Sequence, residues 1–446
     1  MQADLARKFA VQVPRYTSYP TVPHFRANIG DVQYVCWLAA LPEAVQLSLY
    51  LHIPFCHRLC WYCGCNTKAT QRYAPVAGYL RAVESEIVSV ASLLPRLHAV
   101  THIHWGGGSP NILTASDIGK IAGALRDAFS IDKRAEFAVE IDPRHMDAGK
   151  IAAFVEAGVT RVSVGVQDFH PAVQAAIGRR QNFETTKRII EQLRHYNVAS
   201  INVDLMYGLP RQTLESVDRT IAQVLDLDPD RIAVFGYAHL PERMKHQRLI
   251  PLAELPDMVE RSAQSNRVGR RLVEHGYIRI GLDHFAKPSD KLVTAPIARN
   301  FQGYTTDQAD TLIGIGASAI GRLPQGYVQN AVAVGDYERR IRSYGLATAK
   351  GRAFTGEDRM RGYVIERLMC ELAFSAAEVR RRFGAAADAV IEEAKAVIAS
   401  DQHGLVAGTA GGFMVTERGR PFIRSICAHF DAYLDRTSDA CHAAGV

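Results

Sequence analysis

Residues 56 to 65, CHRLCWYCGC, carry Cys56, Cys60, Cys63 and Cys65. Four thiols so close together are too crowded for ordinary core positions, and thiolates at this spacing ligate soft metals or exchange electrons. Structural zinc usually takes paired C-x2-C knuckles separated by a loop. No second pair follows downstream. A C-x3-C-x2-C run on one tight loop instead wraps three thiolates around one face of an iron–sulfur cube, which normally has four cysteine ligands. With three, one iron keeps an open position, as a catalytic zinc does. Such an iron can chelate the amino and carboxylate groups of S-adenosylmethionine.

Other residues could do chemistry beside the thiols. Glu140 ends an apolar strand pattern where a surface charge would be more usual; a carboxylate there can accept hydrogen bonds from an amino group or a ribose. Asp204 stands likewise in NVDLMYG, and Gln167 follows VSVGV. GGGSP at Gly106–Pro110 lacks the Lys-Ser/Thr ending of a phosphate-cradling loop, but bare glycine backbone lets a ligand approach closely. His102 and His104 form an H-x-H on a strand, which in a barrel can bind zinc for hydrolysis; that reading leaves the cysteines unexplained. GIGASA at Gly314–Ala319 imitates a dinucleotide fingerprint, yet Pro324 and Gly326 would cut short the helix it needs.

These residues need a scaffold, and the sequence outlines one. From residue 48 to about 285, LSLYLHIPF, VTHIHWGGG, EFAVEID, VTRVSVGVQ, SINVDLMYG, RIAVFGYAH and YIRIGLDHF read as strands. Between them lie stretches whose apolar residues recur at three- and four-residue steps, such as FETTKRIIEQLRHYN and ESVDRTIAQVLDL. Alternating strand–helix units predict an α/β fold with a parallel sheet, closed or partly closed as a (β/α) barrel, with chemistry at the C-terminal ends of the strands. Residues 1–30, holding PRYTSYPT, read as an extended arm, 31–350 as the barrel with an extension, and 351–446 as a mainly helical, winged-helix-like cap.

Composition bounds the rest. The 446 residues are 48% hydrophobic and 22% charged, with net charge +6, pI near 8.8 and mean hydropathy −0.07. This is a globular composition of about two or three domains. No apolar run has signal-peptide or membrane-spanning length, so a cytoplasmic protein is expected, in which clustered cysteines serve as ligands or redox groups rather than disulfides. The mild positive charge suits an acidic substrate or partner, and no basic run suggests nucleic acid.

The cysteine motif after a first barrel strand, with the aromatic Tyr62 before the third cysteine, resembles the radical S-adenosylmethionine superfamily. YLHIPFCHRLCWYCGCN, HWGGGSPN, EIDPR, VSVGVQDF, DLMYGLP, YAHLP and RNFQGYTT, running in order from PRYTSYPT to FDAYL, further resemble its oxygen-independent coproporphyrinogen III oxidase family. The C-G-C ending at Cys63–Cys65 separates that family from haem-chaperone paralogues. The resemblance implies anaerobic conversion of two propionates of coproporphyrinogen III to vinyl groups, giving protoporphyrinogen IX. It implies a [4Fe-4S] cluster on Cys56, Cys60 and Cys63, with Cys65 serving activity rather than ligation. One S-adenosylmethionine would lie on Gly107, Gly108, Ser109, Glu140, Gln167, Arg179 and Asp204, with Tyr50 and Tyr62 beside it; Ser109 stands where the family usually has threonine. A second would touch Met206, Ala238 and Ile320, with Met206 replacing the usual isoleucine. A flavodoxin- or ferredoxin-type donor and a monomeric state are also implied. For the substrate propionates, Arg15 and Arg299 are the candidate cations, because guanidinium pairs with carboxylate in bidentate fashion.

Overall fold

The computed structural model describes residues 5, 7–9, 12–43 and 45–434. Parts of the expected arm (1–4, 6, 10 and 11) and the last residues of the expected cap (435–446) lie outside the described residues.

The sheet is built first from six parallel strands. They are β1 (Leu47–Ile53), β2 (Ala99–Gly107), β3 (Ser130–Ile141), β4 (Arg161–Gln167), β5 (Ser200–Tyr207) and β6 (Arg231–Gly236). Each pairs with the next in register. In β1 every position but Tyr50 is buried, as expected of a strand covered on both faces. The intervening helices bury one stripe each, for example Val217, Ile221 and Val224 on Leu214–Asp226, a spacing of one face of an α-helix. A capping box at Thr213 and Ser216 starts that helix.

YIRIGLDHF is not one strand. It folds into β7 (Ile278–Ile280) and β8 (His284–Ala286), an antiparallel hairpin that turns at Gly281, where φ is +52°. β8 runs antiparallel to β6, so the parallel series stops there. On the other flank β9 (Thr311–Ile315) lies parallel to β1, and β10 (Ile320–Leu323), β11 (Gly326–Asn330) and β12 (Thr348–Ala353) follow as antiparallel neighbours. The order is β12-β11-β10-β9-β1-β2-β3-β4-β5-β6-β8-β7. Its two ends do not pair with each other among the described residues, so the barrel is partial. Gly314 and Ile315 of GIGASA end β9 and the rest turns into β10, so a strand and not a helix follows directly, which removes the dinucleotide reading.

The register stacks polar residues inside the strands. Tyr50 pairs with His104, Glu140 with Ser163, and Gly165 with Asp204. A two-stranded hairpin, Ala298–Asn300 with Gly303–Thr305, stands beside the sheet.

The C-terminal segment has its own hydrophobic core around Val364, Leu368, Phe413 and Phe430, and Tyr16 and Tyr19 of the N-terminal arm belong to it. Its helices are Asp358–Glu371, Ala376–Phe383 and Ala387–Ser400. The sequence pattern did not single out the third. The expected wing, Val406–Thr409 with Gly412–Val415, gains a third strand from Ala373–Ser375. RPFIRSICAHF forms short turns of helix rather than one continuous helix. Tyr304 joins the two units by donating to Met369 O at 2.6 Å. Among the described residues no helix is long and apolar enough to cross a membrane.

Candidate active site

The cysteine loop is closed at its base. Immediately after β1, Phe55–Cys56 pairs in parallel with Lys68–Ala69, and Thr70 N donates to Cys56 O at 2.9 Å. The loop between therefore begins and ends at one place, with its thiols held on a short perimeter. All of its cysteines are free. Cys60 is buried (6% exposed), Cys56 and Cys63 are half-buried, and Cys65 is exposed.

Two guanidinium groups address the buried thiol. Arg144 Nη2 and Arg179 Nη1 each lie 3.6 Å from Cys60 Sγ. Both also hold Asp142 Oδ2, at 2.5 and 3.3 Å. Burial alone would raise the Asp142 carboxyl, but Arg179 and Arg144 outweigh it and hold the group well below the usual carboxylate range. Burial works against the Arg179 charge, and Tyr62, Asp142 and Cys60 more than compensate. Burial pushes the Cys56 thiol up to about 11, although Thr67 Oγ1 (3.2 Å) and Ser109 Oγ (3.8 Å) oppose it. Cys63 is drawn the other way, to about 7, chiefly by hydrogen bonding from Cys65.

This donor set fits a thiolate-held cluster. Cys63 and Cys60 lie near enough to add to the rise of the Cys56 thiol, so a shared metal group that takes up thiolate charge suits the three sulfurs together. N–H groups aimed at a ligating sulfur are the outer-shell support that tunes such centres. The H-x-H pair does not converge in this way. His102 Nδ1 faces Asp307 Oδ1 at 3.3 Å, while His104 Nε2 faces Glu140 Oε1 at 3.0 Å. Among the described residues no group of three His, Cys, Asp or Glu side chains is arranged for a single metal ion.

β2 ends against this loop, and its glycines are the reason it can. A Cβ on Gly107 (φ +109°) would sit 2.6 Å from the His52 ring, and one on Gly108 would sit 2.5 Å from Phe55 O. Gly108 N and Ser109 N then donate to Ile53 O and Phe55 O, both at 2.8 Å. Bare glycine was expected to let a ligand come close; here it is protein, His52, Phe55 and Thr67, that fills the space where the side chains would be. Glu140 lies alongside, accepting from Gly107 N at 3.3 Å. Its carboxyl feels the burial penalty first, then His104, which brings the net shift below the ordinary value.

Gln167 adopts φ +71° at the end of β4, a conformation non-glycine residues seldom hold without a functional or packing reason. Asp204 accepts from Ser163 Oγ and Asn202 Nδ2, both at 2.8 Å; burial raises its carboxyl. Glu140 and Asp204 line one cavity of about 110 Å³, together with His104, Ser163, Phe235 and Gln302. Gln302 belongs to the tip of the RNFQGYT hairpin, which thus faces the inner wall of the barrel.

Met206 joins an apolar cluster with Tyr62, Trp61 and Tyr237. Gln247 Nε2 ties Ala238 O to Tyr62 O at 3.2 and 3.0 Å. Ile320 lies on β10, on the other arm of the open sheet. One ligand touching all three would have to bridge the barrel opening. Tyr50 Oη pairs with His52 Nδ1 at 2.9 Å, and His52 Nε2 meets Asn66 O at the same distance.

The two candidate substrate cations differ. Arg15 is exposed. The Arg299 side chain is only 6% exposed, lies 4.5 Å from the Tyr304 ring centroid, and leaves Nε and Nη1 without a hydrogen-bond partner. Asp283 Oδ1, 3.9 Å from Nη1, is its nearest counter-charge. Arg424 donates to the carbonyls of Pro14 (3.0 Å) and Val13 of the arm. Burial and then the charge of Arg15 bring the Arg424 guanidinium down to about 10, with Arg299 adding to the effect.

His52, Asp142, Arg144, Gln302 and Arg424 escaped the sequence reading, and His104 entered it only as half of a zinc-binding H-x-H. Tyr50 and His52 alternate on one face of β1 directly before the cysteines, a signal present in YLHIPF. Asp142 and Arg144 stand in the EIDPR strand end, and Gln302 in RNFQGYT. Nothing in the sequence pointed to Arg424.

The radical SAM superfamily profile matches residues 50–224, and the HemN C-terminal domain profile matches residues 354–422. The chain is 46% identical over 440 residues to the oxygen-independent coproporphyrinogen III oxidase of Bradyrhizobium diazoefficiens, covering 98% of each. It is 39% identical over 435 residues to the enzyme of that name from Escherichia coli K12, covering 96% of this chain and 95% of the relative. The solved structure of the Escherichia coli coproporphyrinogen III oxidase HemN, described as a radical SAM enzyme, superposes with a TM-score of 0.90 at 37% identity, covering 95% of this chain and all of that one. The thiolate loop, the partial barrel and these end-to-end matches agree, and the chain belongs to the oxygen-independent coproporphyrinogen III oxidase family of radical SAM enzymes.

Proposed function

We propose that this chain performs the anaerobic oxidative decarboxylation of coproporphyrinogen III to protoporphyrinogen IX in haem biosynthesis. The observation that carries the reading is the loop itself: Cys56, Cys60 and Cys63 on one closed loop with an exposed fourth cysteine, Cys65, in a chain matched end to end by oxidases of that name. A bound [4Fe-4S] cluster with S-adenosylmethionine would supply one-electron hydrogen abstraction at a propionate β-carbon, the chemistry that opens the oxidative loss of carbon dioxide and leaves a vinyl group.

Cys56, Cys60 and Cys63 hold the cluster, and Arg144 and Arg179 stabilise the Cys60 thiolate. Glu140, Gln167 and Asp204 at three strand ends, with the Gly107–Ser109 backbone, Tyr50 and Tyr62, surround one S-adenosylmethionine. Arg179 orients that site from behind. Met206, Ala238 and Ile320 border a second molecule. Cys65, exposed beside Cys63, serves the reacting end. The substrate is a tetra-anion, and the unpartnered N–H groups of Arg299, with Arg15 on the arm above, give its propionates bidentate partners. The arm, barrel and cap act as one machine, monomeric and cytoplasmic, fed by a flavodoxin- or ferredoxin-type donor.

The test is reconstitution without oxygen, chemical reduction, and chromatography of the porphyrins after oxidation. A monovinyl intermediate followed by the divinyl product is expected, with two 5′-deoxyadenosines per finished substrate. Cosubstrate cleavage without vinyl product, accompanied by stable haem binding, overturns the reading in favour of a haem chaperone.

A further inference from the structure

The chain contains no Asp or Glu between Glu43 and Glu84, yet that stretch holds the whole cysteine loop with Arg58, Lys68 and Arg72. Folding gathers these cations around the loop. Lys68 pairs with Phe55 in the small parallel sheet, and Gln71 Nε2 donates to His57 O at 2.6 Å, which brings Arg72 beside His57. A second basic segment flanks them. The His57 and His145 rings lie 4.3 Å apart, and Lys150 Nζ donates to His145 O at 3.2 Å. On the other side Trp61 N donates to Ile177 O at 2.9 Å, which sets Arg180 near the loop.

Arg58, Lys68, Arg72 and Arg180 are exposed. Among the described residues, no hydrogen bond or ion pair engages their side chains. The carboxylates nearby are committed elsewhere: Asp142 to Arg144 and Arg179, Asp147 to capping Lys150 N at 2.9 Å, and Asp117 to Tyr73 and Lys120. A one-signed, uncompensated patch of this kind steers and orients an oppositely charged partner.

We infer that the solvent face of the cysteine loop, bounded by Arg58, Lys68, Arg72 and Arg180, is the docking surface for a small acidic protein that delivers single electrons. The inference rests on the proposed function, which requires an electron from outside the chain. The loop carries the chain's only run of closely spaced cysteines, so the electron has to enter here. In the transfer one electron leaves the carrier and one enters the cluster, so the carrier is oxidised as the cluster is reduced, and no bond to the protein forms. Acidic flavodoxin is the occupant this surface suits, because its carboxylates would meet cations that have no partner of their own.

The test is charge reversal, Arg58→Glu with Lys68→Glu and Arg72→Glu, against a charge-matched control of Arg339→Glu with Arg381→Glu and Lys395→Glu on other exposed faces. Binding of an oxidised acidic flavodoxin to the cluster-loaded protein is measured by calorimetry at several salt concentrations. The loop variant should bind about tenfold or more weakly, with a shallower salt dependence, while the control binds as the parent does. Iron content and product formation driven by a chemical reductant should be unchanged in both. Equal binding by loop variant and parent, or an equal loss in the control, overturns the docking surface. Failure of the parent to form vinyl product under chemical reduction overturns the proposed function instead, so the two failures are told apart.

Discussion

Arg179 and Cys60 are in direct contact: Nη1 lies 3.6 Å from Sγ while also reaching Asp142 Oδ2 at 3.3 Å. One buried guanidinium thus links the Cys60 thiol to a carboxylate on the next-but-one strand end. Removing it by Arg179→Ala leaves Asp142 with a single partner, and breaking a buried pair costs about 3–5 kcal/mol. Thermal unfolding of the metal-free protein should show that loss, and Arg179→Lys should recover only part of it. Because Asp142 is held below its unfolded value, its contribution is present above about pH 4 and is lost as pH falls through the lower folded value. The parent and Arg179→Ala should therefore converge in stability under strong acid; a constant gap would assign the loss to packing alone.

Cysteine replacement separates ligands from the reacting end. Cys56→Ala, Cys60→Ala and Cys63→Ala should each lose iron and sulfide along with activity. Cys65→Ser should retain the cluster yet lose most turnover, since Cys65 is the exposed one of the four cysteines on the loop. Iron analysis and the visible spectrum decide the matter. Loss of the cluster in Cys65→Ser with retention in Cys56→Ala would reverse the assignment.

Glu140 and Asp204 line the same cavity. Glu140→Ala and Asp204→Ala should keep iron but weaken S-adenosylmethionine binding by about ten- to a hundredfold, the worth of a charged hydrogen bond of roughly 1.5–3 kcal/mol. Calorimetric titration reads this directly. Unchanged isotherms in both variants would return the carboxylates to a structural role.

Gly108→Ala drives a methyl group to within 2.5 Å of Phe55 O and 2.6 Å of Thr67 Oγ1. The first is backbone and cannot swing away. Destabilisation of about 1–3 kcal/mol is expected, with poorer cluster incorporation, because the loop base must shift. Gly119→Ala, in helix Ala115–Ala128 with nothing within 4 Å of the new atom, serves as the control and should be neutral or slightly stabilising. Melting curves and iron content of the two variants test the contrast.

Arg299→Ala should raise the substrate KM or Kd about tenfold or more while leaving S-adenosylmethionine binding intact, because it removes Nε and Nη1, which have no hydrogen-bond partner in the protein. Arg299→Lys should rescue only partly, since an ammonium lacks the fork. Equal affinity for the tetra-anionic substrate in parent and Arg299→Ala would place the propionates elsewhere.

The sequence by itself determined the chemistry and most of the scaffold. Soft-ligand spacing is a local property: Cys56, Cys60 and Cys63 must share one loop whatever the rest of the chain does, and they were legible at once. The six parallel strands were equally plain, because each holds a short run of apolar residues and the helices between them carry a clean apolar stripe. The tertiary structure decided what depends on neighbours distant in the chain. YIRIGLDHF alternates well enough to be one strand, but Gly281 turns it back on itself and ends the parallel series, leaving the barrel open. The glycines of GGGSP signalled close approach, and only packing showed that His52, Phe55 and Thr67 make the approach. Asp142 and Arg144 drew no notice at the end of EIDPR, and only Arg179, reaching in from the turn after the helix Pro171–Ala176, closed their network on Cys60. Arg424 gave no signal, because a charge on a short C-terminal helix acquires meaning only when the arm folds over it. Ligand types are written in composition and spacing; charge compensation and burial are sums over the whole fold, and no stretch of sequence contains them.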